Sequence, residues 1–101
     1  MILLIDTTAG RVSVAEGADC KRLAARVSGN GDLSRALAGF ATADAAGTHL
    51  WVEITALRAA AQPADAPDWA ASYDGMIRYA ASKGWCDADG TRVRVHLEPA
   101  A

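Results

Sequence analysis

Apolar side chains recur at helical intervals over only one long stretch of the chain, Pro67–Gly84, where Trp69, Tyr73, Met76, Ile77 and Ala80 share a face. The stretch carries its own boundaries. Asp68 follows a proline and stands where a carboxylate can cap the first amides, while Gly84, just after Lys83, suits the left-handed residue that ends helices. Asp74 and Arg78 lie one turn apart on another face. A core helix is predicted here.

Elsewhere the period is mostly two. Ile2–Asp6 is a short apolar run, Thr7–Gly10 reads as a turn, and Arg11–Glu16 alternates with Val12 and Val14 on one side, so a hairpin is predicted. Cys20–Val27 alternates again, setting Lys21, Leu23, Ala25 and Val27 opposite Cys20, Arg22, Ala24 and Arg26, as a third strand would. The turn and cap residues Ser28–Asp32 precede Leu33, Ala36, Leu37 and Phe40, whose spacing predicts a helix of about ten residues. Ala41–Gly47 reads as a frayed helix end and loop. His49–Ile54 predicts a fourth strand with Leu50, Val52 and Ile54 facing one way and His49, Trp51 and Glu53 the other. Thr55 caps a short helix, Ala56–Ala61, that Pro63 stops. After a tight turn at Asp87–Gly90, Thr91–Glu98 alternates as a fifth strand, with Val93, Val95 and Leu97 inward and Arg92, Arg94, His96 and Glu98 outward.

The order βββ-α-β-α-α-β predicts an α+β fold: a two-layer sandwich with a mainly antiparallel sheet of about five strands and helices on one face. Residues 1–101 read as a single globular domain. Its core is expected to join Trp69, Tyr73, Ile77, Phe40 and Leu37 to Leu23, Val27, Val52, Val93 and Val95.

Composition changes this picture in two ways. Alanine supplies much of the 51% apolar content and buries little area, so the few large side chains must carry the core. The net charge of −2 gives no global attraction to phosphate backbones or anionic membranes. The cysteines Cys20 and Cys86 form no CxxC and no framework, which fits a reducing, cytoplasmic setting. Met1–Ile5 is too short for a signal peptide or membrane span, so neither is expected.

Four short patterns invite chemical readings. Gly29-Asn30-Gly31-Asp32-Leu33-Ser34 follows a predicted strand and opens a helix, as a dinucleotide-binding turn does. Ser34 nevertheless replaces the third glycine, and the preceding strand is charged. No cofactor is therefore expected, a nucleotide-binding enzyme domain built on Gly29–Ser34 standing as the alternative. Tyr79-Ala80-Ala81-Ser82-Lys83 resembles the YxxxK pair of short-chain dehydrogenases, a family that places a full nucleotide-binding domain ahead of it. Asp87–Gly90 matches a fragment of a calcium loop but puts Trp85 and His96 where carboxylates are needed. His49 and His96, with Glu53 and Glu98, would approach a metal only if their strands were neighbours; no metal is expected.

With helices on one face, the other face collects Arg11, Arg22, Arg26, His49, Trp51, Arg92, Arg94 and His96. These eight residues form the candidate interaction surface. The functional expectation is a small non-enzymatic protein acting by macromolecular contact, with itself or with a protein partner. Single-stranded nucleic acid on this basic face is a further alternative, which the acidic overall balance disfavours.

Overall fold

Six strands and three helices follow one another as βββ-α-β-β-α-α-β in the computed structural model, which describes residues 1–99. They are β1 (Ile2–Asp6), β2 (Arg11–Ala15), β3 (Ala24–Ser28), α1 (Leu33–Leu37), β4 (Ala41–Ala43), β5 (His49–Glu53), α2 (Ile54–Ala61), α3 (Trp69–Ser82) and β6 (Arg92–Pro99). The fold is α+β. All strands join one sheet in the order β2-β1-β3-β6-β5-β4, parallel at β1/β3 and β3/β6 and antiparallel elsewhere.

The β1–β2 hairpin is fixed by its turn. Asp6 Oδ1 accepts the Thr8 and Ala9 amides, each at 3.0 Å, and Gly10 takes the positive φ of 69° that lets the chain reverse. The resulting register pairs Leu3 with Val14 and Ile5 with Val12. Residues opposite one another across a ladder share a face, so all four point inward. Leu3 and Ile5 are buried, as are Ala25, Leu50, Val52, Val93 and Val95 from the other strands.

Helices pack on this inner face. α1 touches β1, β2 and β4, and α2 touches β2 and β5. Because β2 and β4 are the two edges of the sheet, helices that reach both draw the sheet into a half-barrel around them. α3 lies over β6 and anchors the closure through two aromatic rings stacked 5.1 Å apart. Trp69 Nε1 donates to the Gly17 carbonyl at 2.7 Å, and the buried Tyr73 hydroxyl donates to the Ile54 carbonyl at 2.7 Å. At Gly17 a Cβ would stand 2.2 Å from the Ala61 carbonyl oxygen, so only glycine lets this turn approach the end of α2.

The expected core forms one cluster. Trp69, Tyr73, Leu37, Val52, Val93 and Val95 are buried, and Ile77, Phe40, Leu23 and Val27 pack half-buried at its margin. Met1, Leu3, Ile5, Leu50 and Leu57 are also fully enclosed. Each such side chain contributes on the order of 1.5–3 kcal/mol relative to exposure.

Four local expectations differ from the structure. α2 begins at Ile54 with Glu53 at its N-cap, so Thr55 lies inside the helix and does not cap it. The third strand starts at Ala24, not Cys20, because the carbonyls of Asp19 and Arg22 accept from the Met1 ammonium at 2.9 and 3.0 Å. Asp19 Oδ1 further holds the Lys21 amide in a turn. The first helix ends at Leu37, since Gly39 adopts φ 78°, and Ala41–Ala43 pairs with β5 as the extra strand. Asp68 occupies the N-cap of α3, but its side chain caps nothing; its carbonyl accepts from Ser72.

Candidate functional site

The convex face of the sheet carries no helix, yet its charges are largely spent on one another. Arg26 meets Glu98 at 3.8 Å, and Arg92 Nε donates to Glu53 Oε1 at 2.9 Å. That short bond and the Glu53 charge raise the Arg92 pKa further. His49 lies 3.6 Å from Asp44 and 3.0 Å from Thr48 Oγ1 through Nδ1. Arg11 sits at the β2 edge, and Trp51 stands half-buried across from Arg94. The eight predicted residues therefore do not form one basic surface. Arg22 in particular leaves the sheet, because the chain before Ala24 turns.

Four of the eight, Arg22, His49, Arg94 and His96, instead line one cleft of about 620 Å³. Its origin is topological. β6 is paired with β5 from Arg92 onward, but β3 joins its other edge only at Ala25↔Leu97. The segment after α3 covers that edge as far as Arg94, whose amide donates to the Trp85 carbonyl at 2.7 Å, with a bridge between Cys86 and Val93. At Val95 and His96 no strand lies on that edge of β6, and the cleft opens there.

One wall comes from the turn before β3, with Cys20, Lys21, Arg22 and Leu23, and the facing wall from α3 and Trp85. On α3 the spacing Gly75, Met76, Tyr79, Ala80 presents one stripe to the cleft. Tyr79 and Trp85 stand edge to face with ring centres 6.1 Å apart and remain 58% and 39% exposed, large apolar groups left in water. A Cβ at Gly75, which lines the cleft, would meet nothing nearer than Arg78 Nη2 at 3.9 Å, so no packing contact requires this helix-interior glycine.

Three of the ten Lys and Arg residues line the cleft, and none of the twelve Asp and Glu does. Lys21, Arg22 and Arg94 make no ion pair among the described residues. A smaller cleft of about 370 Å³ contains the paired Glu53 and Arg92, so its charge is already balanced.

The other chemical readings meet physical obstacles. In the Gly29–Ser34 turn, Thr7 Oγ1 accepts the Gly31 amide at 3.0 Å and Thr8 Oγ1 the Asn30 amide at 3.4 Å. Asp32 caps the Ser34 and Arg35 amides. Donors that a pyrophosphate would need are thus taken by the protein itself. Lys83 Nζ sits over the Tyr79 ring, 5.5 Å from its centre, a cation–π contact. Asp87 Oδ1 accepts the Thr91 and Arg92 amides and so closes its own turn. The two histidines are neighbours, as a shared site would require, with rings 5.2 Å apart. Among the described residues no group of three His, Cys, Asp or Glu can hold a metal ion. Burial pushes the Cys20 thiol up, which disfavours a thiolate nucleophile in the cleft.

Sequence reasoning missed Met76, Tyr79 and Trp85 as site residues. The available signal was that the aromatic residues Tyr79 and Trp85 fall outside the apolar face that the spacing of α3 defines. No helix of the described residues is long and apolar enough to cross a membrane. Compared with protein-family models, curated proteins and solved structures, the chain matches none.

Proposed function

We propose that the protein is a non-enzymatic contact protein whose contact is made at the β6 cleft. The observation that carries this reading is the concentration there of unpaired cations and exposed aromatic rings with no carboxylate, in a chain that is negative overall. Such a cleft focuses attraction on an anionic group while its apolar wall excludes water. Burial raises the pKa of the Cys20 thiol and so opposes a thiolate nucleophile there, which supports binding over turnover.

The helix-interior glycine supplies the test. Gly75→Ala should stabilise the fold by about 0.5–1 kcal/mol, because alanine loses less backbone freedom in a helix. A larger residue, as in Gly75→Leu, should also fill the cleft. A thermal-shift panel of small molecules and peptides reads binding as a raised melting temperature. Shifts seen with the native chain should vanish with Gly75→Leu and weaken with Arg94→Ala. Shifts that survive both changes would place the contact elsewhere, and conversion of a bound compound to product would replace this reading with an enzymatic one.

Self-association on the convex face is a second reading, favoured by Leu4, which is 40% exposed beside the paired Arg26 and Glu98. A face holding both signs of charge can meet its own copy across a two-fold axis. Sedimentation at millimolar concentration decides it: a monomer removes this reading, and a dimer lost on Leu4→Lys supports it.

A further inference from the structure

The ligand chemistry of the cleft follows from its two halves, an inference that rests on the binding reading above. We infer that the cleft takes a small organic anion with a flat apolar body. The body lies against Met76, Tyr79 and Trp85, and the anionic group, a carboxylate or phosphate monoester, faces Arg22 and Arg94.

Size sets the first limit, since about 620 Å³ lies within the range of small-molecule sites. Charge sets the second. A neutral or cationic ligand would leave Lys21, Arg22 and Arg94 without any counter-charge in the cleft, whereas an anion meets guanidinium forks suited to paired oxygens. The apolar half sets the third. Tyr79 and Trp85 present one ring edge to the face of the other, and a flat body can extend that arrangement while Met76 adapts to its outline. A nucleic-acid strand fits poorly, because Arg26 and Arg92, which would continue a phosphate track over the sheet, are held by Glu98 and Glu53.

Four probes separate these terms by amide chemical-shift titration: indole-3-acetate, naphthyl phosphate, neutral indole and inorganic phosphate. Both aromatic anions should saturate and move the amides of Arg22, Gly75 and His96. Replacing Arg22 and Arg94 together by alanine should weaken them roughly tenfold or more, with indole unaffected. Trp85→Ala should weaken the aromatic anions while leaving inorganic phosphate as it was. The ratio between the two anions distinguishes a carboxylate from a phosphate ligand. Indole binding as tightly as indole-3-acetate would overturn the anion assignment and leave the contact reading intact. Inorganic phosphate binding as tightly as naphthyl phosphate would overturn the apolar half. No movement of cleft amides with any probe at millimolar concentration overturns the inference, while the contact reading then answers to its own Gly75→Leu test. Arg94→Lys guards against misfolding: it keeps the charge and should retain part of the affinity.

Discussion

Tyr73→Phe removes one oxygen from the centre of the molecule and isolates the bond that ties α3 to the start of α2. The ring is 1% exposed and stacked on Trp69, and its hydroxyl donates to the Ile54 carbonyl at 2.7 Å. Phenylalanine keeps the ring and the stacking, so the loss is the hydrogen bond and the small void left by the oxygen. A net intramolecular hydrogen bond is worth about 1 kcal/mol, and the carbonyl left behind is the first of a helix and retains its place in the helical ladder. The expected cost is therefore about 1–1.5 kcal/mol, or roughly 4–8 °C in melting temperature for each kcal/mol in a domain of this size. Tyr73→Ala should cost about 3–5 kcal/mol, since it also deletes the buried ring. Urea denaturation followed by tryptophan fluorescence measures both. The same hydroxyl makes a second, independent prediction. Burial raises the Tyr73 pKa, so the folded protein holds this proton where the unfolded chain, near its ordinary value of about 10, releases it. The unfolded state then binds fewer protons, and stability falls as pH rises beyond about 10. Tyr73→Phe should lose that part of the alkaline decline. A phenylalanine variant with unchanged midpoint and unchanged alkaline slope would refute the bond between α3 and α2.

The remaining expectations concern the loops. Gly31→Ala should lower the denaturation midpoint markedly, because its Cβ would stand 2.0 Å from the Thr7 carbonyl oxygen, a backbone atom with little room to move; an unchanged midpoint would free this turn from its structural role. Burial opposes ionisation of Asp87, but amides of Arg92 and Thr91 and the Thr91 hydroxyl outweigh it and hold the carboxyl below its usual range. Asp44 behaves alike: burial is outweighed by amides of His49, Thr48 and Gly47. Their folded pKa values are depressed, so the stability they contribute is complete above about pH 4 and is lost as pH falls through the folded values. Asp87→Asn should flatten the acid limb of a stability profile, and an acid limb identical to the native one would show that the turn carboxylate is not engaged.

Much of the fold is legible along the chain because its signals are local. The period of α3, its glycine stop and the alternation of β2, β5 and β6 depend on neighbours within a turn or two, so spacing alone reveals them. The inward sets Val93, Val95, Leu97 and Leu50, Val52 follow from the same alternation. The missing strand Ala41–Ala43 had no such signal: alanine and threonine there have little strand preference of their own and take their conformation from the β5 edge they pair with. The start of β3 was misplaced for a related reason, since the carbonyls of Asp19 and Arg22 are claimed by the Met1 ammonium across the fold.

The candidate site divides in the same way. Sequence alternation decided that Arg94, His96 and His49 leave the core, because a strand buries every second residue. Only the tertiary structure decided what they meet. The order β3-β6-β5 leaves one edge of β6 open at Val95 and His96, the turn before β3 carries Arg22 off the sheet to the rim of that opening, and α3 brings Tyr79 and Trp85 to its far wall. Ion pairs between strands far apart in sequence, Arg26 with Glu98 and Arg92 with Glu53, remove two further sheet cations from play. Which charges remain unpaired is a property of strand register, and register is fixed by the packing of the whole sheet around its helices.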